Sequence, residues 1–488
     1  MTRTGFKRPS TIPVCQYAGT FYGPTRHGDL GVASGAMTDA LPRSTRIGYA
    51  MGSLATGAFG TVPGLLLLPY LTDNLGVAAG VAGLLVLLPK AWDVLLNPVA
   101  GRISDRTKSR WGPRRPYLLF AGVAMALLFA GMFAAPMSQP GWAAAWCAIA
   151  FFLTATGFAF FQVPYVAMPA EITDGYAERT RLMTWRVAIL AVAILVSGAV
   201  APLVVTATGG GIAGHRWMGG FVAVLIAVGA IGAFLGTRNA PISGLTANEP
   251  SLRAQLAIAR RNRPFVILVT VFVVQTVGIA TMLAGVKYVA DHVIGRPDDG
   301  ATFLFACFVG PALLVMPLWN RVGAVLGKNR SLTLAAVLMS IAAALLVTAW
   351  WVPATVVYLI VAVMGIGYAG QQVFAMAMLP DCIAYDTAKT KRRQAGVFTG
   401  LWTAGETLGL ALGPGVFAAV LTLGGYLSSA GELVVQPASA RWAILLGFTV
   451  IPAVLIGPIT VLLSRYDLTE TKMDAVTADE STRRAELG

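Results

Sequence analysis

The sequence KAWDVLLNPVAGRISDRTKSRWGPRRPY, residues 90–117, joins an apolar segment to a strongly basic one. Three polar residues, Lys90, Asp93 and Asn97, lie in the apolar part at spacings of three and four, so they share one face of a helix. An ionisable side chain at membrane depth is costly unless it faces a polar cavity, which makes this face a candidate functional site. The bases that follow are typical of the cytoplasmic end of a membrane helix. The stretch therefore predicts a membrane span, its direction and a buried polar site.

The composition of the whole chain is that of a membrane protein. Of its 488 residues, 56% are hydrophobic and 12% are charged, and the mean hydropathy is +0.70, whereas a soluble domain carries about twice that charged fraction. The net charge of +14 comes almost entirely from bases in short loops on one side of the spans, which positive-inside topology explains better than nucleic-acid binding does. We expect an integral protein of the plasma (inner) membrane, in contact with the lipid bilayer and without a nucleic-acid partner.

Twelve apolar segments, each of about 20 residues, predict twelve transmembrane helices and an all-α fold. The loops after the even-numbered segments carry most of the bases, and those after the odd-numbered segments are nearly free of them. Both termini are therefore predicted to be cytoplasmic. The predicted spans are 46–71, 77–101, 116–136, 141–167, 182–206, 217–236, 265–289, 300–323, 329–349, 353–378, 394–421 and 439–463.

The two halves of the chain resemble each other. The segments after the fourth and the tenth span align so that Pro169 matches Pro380 and Arg181 matches Arg392. Parallel six-span repeats on either side of a central loop are typical of the major facilitator fold. We therefore predict a disordered cytoplasmic tail at 1–44, an N-terminal six-helix bundle at 45–236, a central cytoplasmic loop at 237–264, a C-terminal six-helix bundle at 265–464, and a second cytoplasmic tail at 465–488.

Three segments resemble the glycoside–pentoside–hexuronide:cation symporters of the major facilitator superfamily. They are WDVLLNP with GRISDRTKSRWGPRRPY (92–98 and 101–117), PYVAMPAEITDGYAERTRL (164–182), and RRQAGVFTGLWTAGETLGLALGPG (392–415). The resemblance covers about 45–465. It implies a secondary active transporter that moves an organic solute, by family default a sugar or glycoside, through a midplane cavity by alternating access.

The resemblance also assigns roles to single residues, several of which depart from the family pattern. The family's pair of cation-binding carboxylates falls on Asp93 and Asn97, and its span-four aspartate falls on Gln162. Arg186 matches a substrate-contacting arginine, and the family's span-eleven lysine becomes Glu406. Sodium needs several oxygen ligands with net negative charge, whereas one carboxylate in an apolar surrounding readily takes up a proton. We therefore expect coupling to H⁺ in preference to Na⁺, with Asp93 as the carrier and Glu406 as a second candidate.

The predicted solute site combines charges, amides and one indole. Each residue type also has a purely structural explanation: Asp93 could be a tolerated ion pair with Lys90, Arg186 could extend to the interface, and the amides could join helices. Trp402, one turn before Glu406, could stack on a sugar ring or simply pack. The predicted substrate-binding residues are Lys90, Gln162, Arg186, Trp402, Glu406 and Gln372.

The basic loop after the second span is predicted to act as a gate. Asp105 can form ion pairs with the surrounding bases that hold the cytoplasmic side closed. Such pairs should be few and breakable, because the two states of a carrier differ by only a few kcal/mol. The predicted gating residues are Asp105, Arg106, Arg110, Arg114 and Arg115.

Other functions stay open. A lysophospholipid or another amphipathic lipid is an alternative cargo, because the family's span-one aspartate falls on Gly57 and its stacking tryptophan on Val166, which weakens the case for hydroxyl recognition. A non-transporting receptor or scaffold is a further alternative, because Asn97 removes part of the coupling site. An enzyme is not expected, since the spans carry no nucleophile–base motif and no His or Cys grouping. We expect a monomer without cofactor or metal.

Overall fold

The computed structural model describes residues 41–135, 140–173, 176–240, 252–390, 394–431 and 434–468. These residues form helices and no strands. Twelve of the helices are long and apolar enough to cross a membrane, which confirms the predicted fold class. In chain order, spans 1 to 12 are Arg43–Leu67, Ala79–Arg106, Arg115–Met132, Gly141–Ala167, Arg181–Ala207, Gly211–Thr237, Arg263–Ile294, Gly300–Leu326, Lys328–Trp350, Ala354–Thr390, Gly396–Leu423 and Ala438–Leu463.

Span 1 ends in wide helical turns. Its α-helix, Arg43–Val62, continues into the π-helical turn Pro63–Leu67, and a second π-helical turn follows at Tyr70–Asn74. Pro63 begins the first turn, and a proline has no N–H to bond to the fourth residue before it. Because a π-turn holds more residues than an α-turn, the end of span 1 is rotated relative to its beginning.

The predicted central connection contains a short helix. The connection 237–264 contains the helix Leu252–Arg261, which lies just before span 7. Its apolar residues recur at helical spacing. The predicted tail 1–44 lies outside the described residues except for its last four, and span 1 already begins at Arg43. The predicted tail 465–488 lies outside them beyond residue 468.

The two halves meet mainly through two pairs of spans. Span 2 packs on span 11, and span 5 packs on span 8. Glycines permit both contacts: a Cβ on Gly83 would lie 2.4 Å from the Cβ of Ala418, and one on Gly198 would lie 2.2 Å from the ring of Phe305. All of these positions lie towards the end of the molecule where span 1 ends and span 2 begins. We call this the outer end, following the predicted orientation.

Candidate functional site

A cluster of hydroxyls surrounds an arginine in the first half of the chain. Ser53 Oγ in span 1 lies 3.0 Å from Tyr165 Oη in span 4, and the rings of Tyr49 and Tyr165 stack with centroids 4.8 Å apart. The Arg186 guanidinium lies 5.5 Å from the centroid of the Tyr165 ring, and its Nε is buried without a hydrogen-bond partner among the described residues. Gly52 makes room for the arrangement, because a Cβ there would lie 2.4 Å from the Tyr165 ring.

Glu406 faces this cluster from the second half. Its charge interacts with that of Arg186, although the two do not form one of the ion pairs found among the described residues. Tyr368 and Gln372 lie one turn apart on the same face of span 10, and the Glu406 charge also acts on Tyr368. Spans 1, 4, 5, 10 and 11 therefore contribute to one polar region, which we call the central cluster and define as Ser53, Tyr165, Arg186, Tyr368, Gln372 and Glu406.

The polar side chains on one face of span 2 are buried, and some of their oxygen atoms lack a hydrogen-bond partner among the described residues. Asp93 is 3% exposed and Lys90 is 7% exposed, but no ion pair joins them among the described residues. Within the same part of the chain, Asp93 Oδ1, Asn97 Oδ1 and Gln162 Oε1 are buried without a hydrogen-bond partner. Buried polar atoms are normally paired, so these three oxygens are acceptors that a proton, a cation, water or a solute would satisfy.

Lys90 reaches the boundary between the halves. Its Nζ lies 4.8 Å from the centroid of the Phe59 ring. It also lines a small cavity with residues of spans 1, 7 and 11, among them Gly64, Leu283 and Pro414. The ammonium is thus placed where the halves move against each other, in a mostly apolar surrounding.

Trp402 does not open to the central cluster in this conformation. The residue is 2% exposed, and its indole stacks on Phe272 of span 7 with centroids 4.0 Å apart. Its Nε1 is buried without a partner among the described residues. In this conformation Trp402 therefore packs against a neighbouring span, and its role in solute binding stays a prediction.

The predicted gating residues form contacts within the first half of the chain. Arg114 bonds Asp105 at 3.0 Å and Glu171 at 2.8 Å, which joins the loop after span 2 to the segment after span 4. Arg115 donates to the backbone carbonyls of Arg238 and Ala240. Arg110 lies over the ring of Trp111, and Arg106 is exposed. In this conformation these contacts brace one half and do not join it to the other.

The second half has a similar brace that sequence reasoning missed. Lys328, at the start of span 9, bonds Asp381 of span 10 at 2.6 Å. Asn262, just before span 7, donates to the backbone carbonyl of Cys382 at 2.8 Å. In each half, an acid in the matching segment therefore bonds a base near the start of a span: Glu171 bonds Arg114, and Asp381 bonds Lys328.

The halves are joined at the outer end by hydrogen bonds. Tyr426 Oη donates to Asp73 Oδ1 at 2.7 Å, and Thr72 Oγ1 lies 2.7 Å from Tyr288 Oη. The Ser429 N–H donates to the Thr72 carbonyl at 2.9 Å. We call these five residues the outer seal. None of them was a predicted site residue, and Asp73 lies in the short connection between the first two predicted spans, where an acid carries no signal for a site.

The cluster hydroxyls were also missed. Tyr165 follows Gln162 by three residues, and Tyr368 precedes Gln372 by four, so both share a helix face with a residue that the sequence had singled out. A search for polar residues at helical spacing would have found them.

Known proteins similar to this chain are transporters. Residues 48–470 match the family described as MFS/sugar transport protein. The putative glycoside/cation symporter YagG of Escherichia coli is 24% identical, over 92% of this chain and 97% of its own length. The isoprimeverose transporter of Lactiplantibacillus pentosus is 25% identical, over 89% and 91%. The glucuronide carrier protein homolog of Escherichia coli is 26% identical, over 92% and 97%.

Solved structures share the fold. A D-xylose-proton symporter superposes with a TM-score of 0.61 at 15% identity, covering 85% of this chain and 96% of its own. An auto inhibited POT family peptide transporter superposes with a TM-score of 0.62 at 13% identity, covering 87% and 98%. Together with the family match over most of the chain, these findings confirm what the three sequence segments implied. The chain belongs to the MFS/sugar transport protein family, resembles its glycoside–pentoside–hexuronide:cation symporters, and is an integral membrane transporter that works by secondary active transport and is not an enzyme.

Proposed function

We propose that the chain is a proton-coupled symporter of a sugar or glycoside and that the solute binds at the central cluster. The observation that carries this proposal is the placement of Arg186 and Glu406 opposite each other on different halves, with hydroxyl and amide groups around them. A solute that bonds both halves stabilises the state in which they close on it. The names of the relatives, a glycoside/cation symporter and an isoprimeverose transporter among them, support a glycoside.

The central cluster favours a sugar over a lipid. The sequence alone weakened hydroxyl recognition, because the family's acidic and aromatic residues were replaced at Gly57, Gln162 and Val166. The structure supplies other groups for it, in particular the hydroxyls of Ser53 and Tyr165 next to Arg186. A site built of donors and acceptors discriminates strongly against a solute that leaves them unpaired. The acyl tail of a lysolipid would leave these donors and acceptors unpaired.

The polar face of span 2 favours a proton over sodium as the coupling ion. Only one carboxylate, Asp93, lies there beside the neutral Asn97, and the positive charge of Lys90 acts on Asp93. A sodium ion would have to replace its hydration next to that ammonium, whereas a proton needs only one acceptor oxygen. We therefore assign proton coupling to Asp93, with Glu406 as the group that links it to the solute.

The structure represents one state of the cycle in this proposal. The outer seal is closed, and the ion pairs of the basic loop brace the first half without closing the other end. The halves 45–236 and 265–464 would rock about the central connection, and the solute would leave towards the side of the termini. We place that side in the cytoplasm of a plasma-membrane protein that acts as a monomer.

Counterflow in proteoliposomes tests the solute site. The purified chain should exchange labelled isoprimeverose or a glucuronide, and Arg186→Ala should abolish the exchange. Arg181→Ala is the matched control, because Arg181 lies on the same helix and is 62% exposed. Exchange of lysophosphatidylcholine alone would establish the lipid alternative, and the absence of any flux by folded protein would establish a receptor or scaffold.

Gradient-driven accumulation tests the coupling ion. A pH gradient should drive accumulation of the exchanged solute, and an imposed sodium gradient should not. In Asp93→Asn we expect counterflow to persist while accumulation is lost, because exchange needs no net proton movement. Accumulation driven by sodium at constant pH would overturn the assignment of the proton.

A further inference from the structure

A cavity of about 220 Å³ lies beside the outer seal, and the transport site described above does not use it. Its walls come from both halves of the chain. Asp73 lines it and is half-buried there. The other titratable residues that line it are His215 from span 6, Lys287, Asp291 and His292 from span 7, Asp298 from the following loop, and Tyr426 after span 11.

One carboxylate oxygen gathers the hydrogen bonds of the outer seal. Thr72 Oγ1 and Tyr426 Oη each lie 2.7 Å from Asp73 Oδ1. The Thr72 hydroxyl has one proton, which it gives to Asp73, so the Tyr288 hydroxyl 2.7 Å away donates to Thr72. His292 Nε2 lies 3.2 Å from Tyr426 Oη. Because both tyrosines belong to the second half and Asp73 belongs to the first, the carboxyl group holds the halves together.

The arrangement leaves a place for a proton. Both hydroxyls donate to Oδ1, so Oδ2 of Asp73 is available for protonation while the two hydrogen bonds remain. We propose that Asp73 is a proton-binding site that controls the outer seal: its neutral form belongs to the sealed state, and its charged form belongs to the state that opens outward.

The physical reason is the loss of water on sealing. Half-burial of Asp73 in the seal removes part of the hydration of its ionised carboxylate, and two hydroxyls replace that hydration only in part. Burial accordingly raises the pKa of Asp73 to about 7, although the bonds from Thr72 and Tyr426 lower it. The charge of Asp291 raises the same pKa and that of Lys287 lowers it. When the seal opens, water returns and the pKa falls towards its ordinary value of about 4.

The sign of the pH effect follows from this difference. A proton binds more tightly to the state with the higher pKa, which is the sealed one, so acidification stabilises the seal. Below pH 7 Asp73 is neutral in the sealed state and sealing is favourable. As the pH rises from about 4 to about 7, the ratio of sealed to open molecules should fall about tenfold per pH unit, because Asp73 is then charged in the open state and still neutral in the sealed state; above pH 7 it is charged in both states and the ratio is constant. A proton taken up from the outer side thus lets the carrier close on that side.

Distance measurements on the full chain in nanodiscs test the proposal. Spin labels at Thr208→Cys and Val435→Cys lie on opposite halves beside the cavity, and both native residues are exposed. The native cysteines, Cys15, Cys147, Cys307 and Cys382, would be replaced by serine. Between pH 4.5 and 8 we expect the population at the short distance to decrease up to about pH 7 and to stay constant above it. A distance distribution that is constant over this range, or that responds in the opposite direction, would overturn the proposal.

Two variants separate Asp73 from the other groups of the cavity. Asp73→Asn keeps the shape and the acceptor of the neutral acid, so it should stay sealed at every pH. Asp298→Asn, the matched control, removes a carboxylate that lines the same cavity and should keep the wild-type response. If Asp73→Asn retains the wild-type pH response, or if His292→Gln removes the response instead, the assignment to Asp73 is wrong.

A third variant is informative even if Asp73→Asn does not fold. Tyr426→Phe removes a donor that lowers the pKa of Asp73. The pH above which the sealed population becomes constant should therefore move upward, while the sealed population at low pH decreases because a bond between the halves is lost. If that upper limit is unchanged in folded Tyr426→Phe, the proposal is contradicted.

Discussion

Gly83 of span 2 and Ala418 of span 11 leave no room for a further carbon atom between them, because a Cβ on Gly83 would lie 2.4 Å from that of Ala418. The two spans belong to different halves, and the contact lies towards the outer end. Small residues let helix backbones approach closely and gain van der Waals contact. The fit is therefore a property of the sealed state and is lost when the halves separate.

Gly83→Val should shift the carrier towards the state that is open at the outer end. Overpacking of a tight contact costs about 1–3 kcal/mol, which corresponds to a change of roughly 5- to 150-fold in the ratio of the two states. The Thr208–Val435 spin-label distance reports the shift. Gly310→Val in span 8 is the control, since an added Cβ there meets nothing within 4 Å. Equal distances in the two variants would show that the contact does not limit sealing.

Tyr165→Phe should weaken solute binding while leaving the fold intact. The change removes the hydroxyl that lies 3.0 Å from Ser53 Oγ and keeps the ring that packs against Tyr49. Loss of one hydrogen bond costs about 0.5–1.5 kcal/mol, so the solute concentration for half-maximal counterflow should rise roughly 2- to 13-fold. Tyr466→Phe is the control, because it removes a buried hydroxyl that contacts Cys382 and not the cluster. A similar loss of affinity in both variants would argue against a direct role of Tyr165.

Asp93→Asn should destabilise the protein more than the double change of Asp93→Asn with Lys90→Met does. Both residues are buried, and the charge of each acts on the other. Removal of one charge leaves the other buried alone, at a cost of about 3 kcal/mol, whereas removal of both abolishes that cost. The midpoint of unfolding in denaturant reports the order of the two variants. If the double variant is the less stable, the two charges do not compensate each other.

Glu171→Gln should destabilise the protein more than Asp105→Asn does. Both acids bond Arg114, but the side chain of Glu171 is 14% exposed and that of Asp105 is 41% exposed. Exposed pairs contribute about 0–1 kcal/mol because water and salt screen them, so Asp105→Asn should be close to neutral. Thermal unfolding at two salt concentrations measures the difference. Equal effects of the two changes would mean that burial does not set the strength of this ion-pair cluster.

The sequence predicted the helices and the division into halves because both depend on local signals. An apolar segment long enough to cross the membrane, followed by bases such as those at 102–115, is complete within one stretch of chain. Asp93, Arg186 and Glu406 could be singled out in the same way, since a charge inside an apolar segment is conspicuous by itself. The structure adds that Arg186 and Glu406 act on each other across the halves.

The outer seal could not be predicted in this way. Asp73 and Tyr426 are 353 residues apart in the chain, and no local pattern shows which odd-numbered loop meets which. The spacing of Tyr165 from Gln162 could single out the tyrosine, but its contact with Ser53 of span 1 could be seen only in the fold. The bases of the predicted gating loop are close together in the sequence and could be singled out as a group, but their partners could be assigned only from the fold.

The outer seal depends on the number of residues in the wide turns at the end of span 1. Thr72 and Asp73 lie in the second of these turns and reach the other half from it. Removal of one residue from 63–74 would rotate everything after it by about 100° around the helix axis and turn both side chains away from Tyr288 and Tyr426. Substitutions in this segment change single contacts, whereas a deletion of one residue would disengage the whole seal at once. In a library of single-residue deletions we therefore expect transport to survive deletions in the loop after span 5 and to be lost after deletions in the few residues before Asn74.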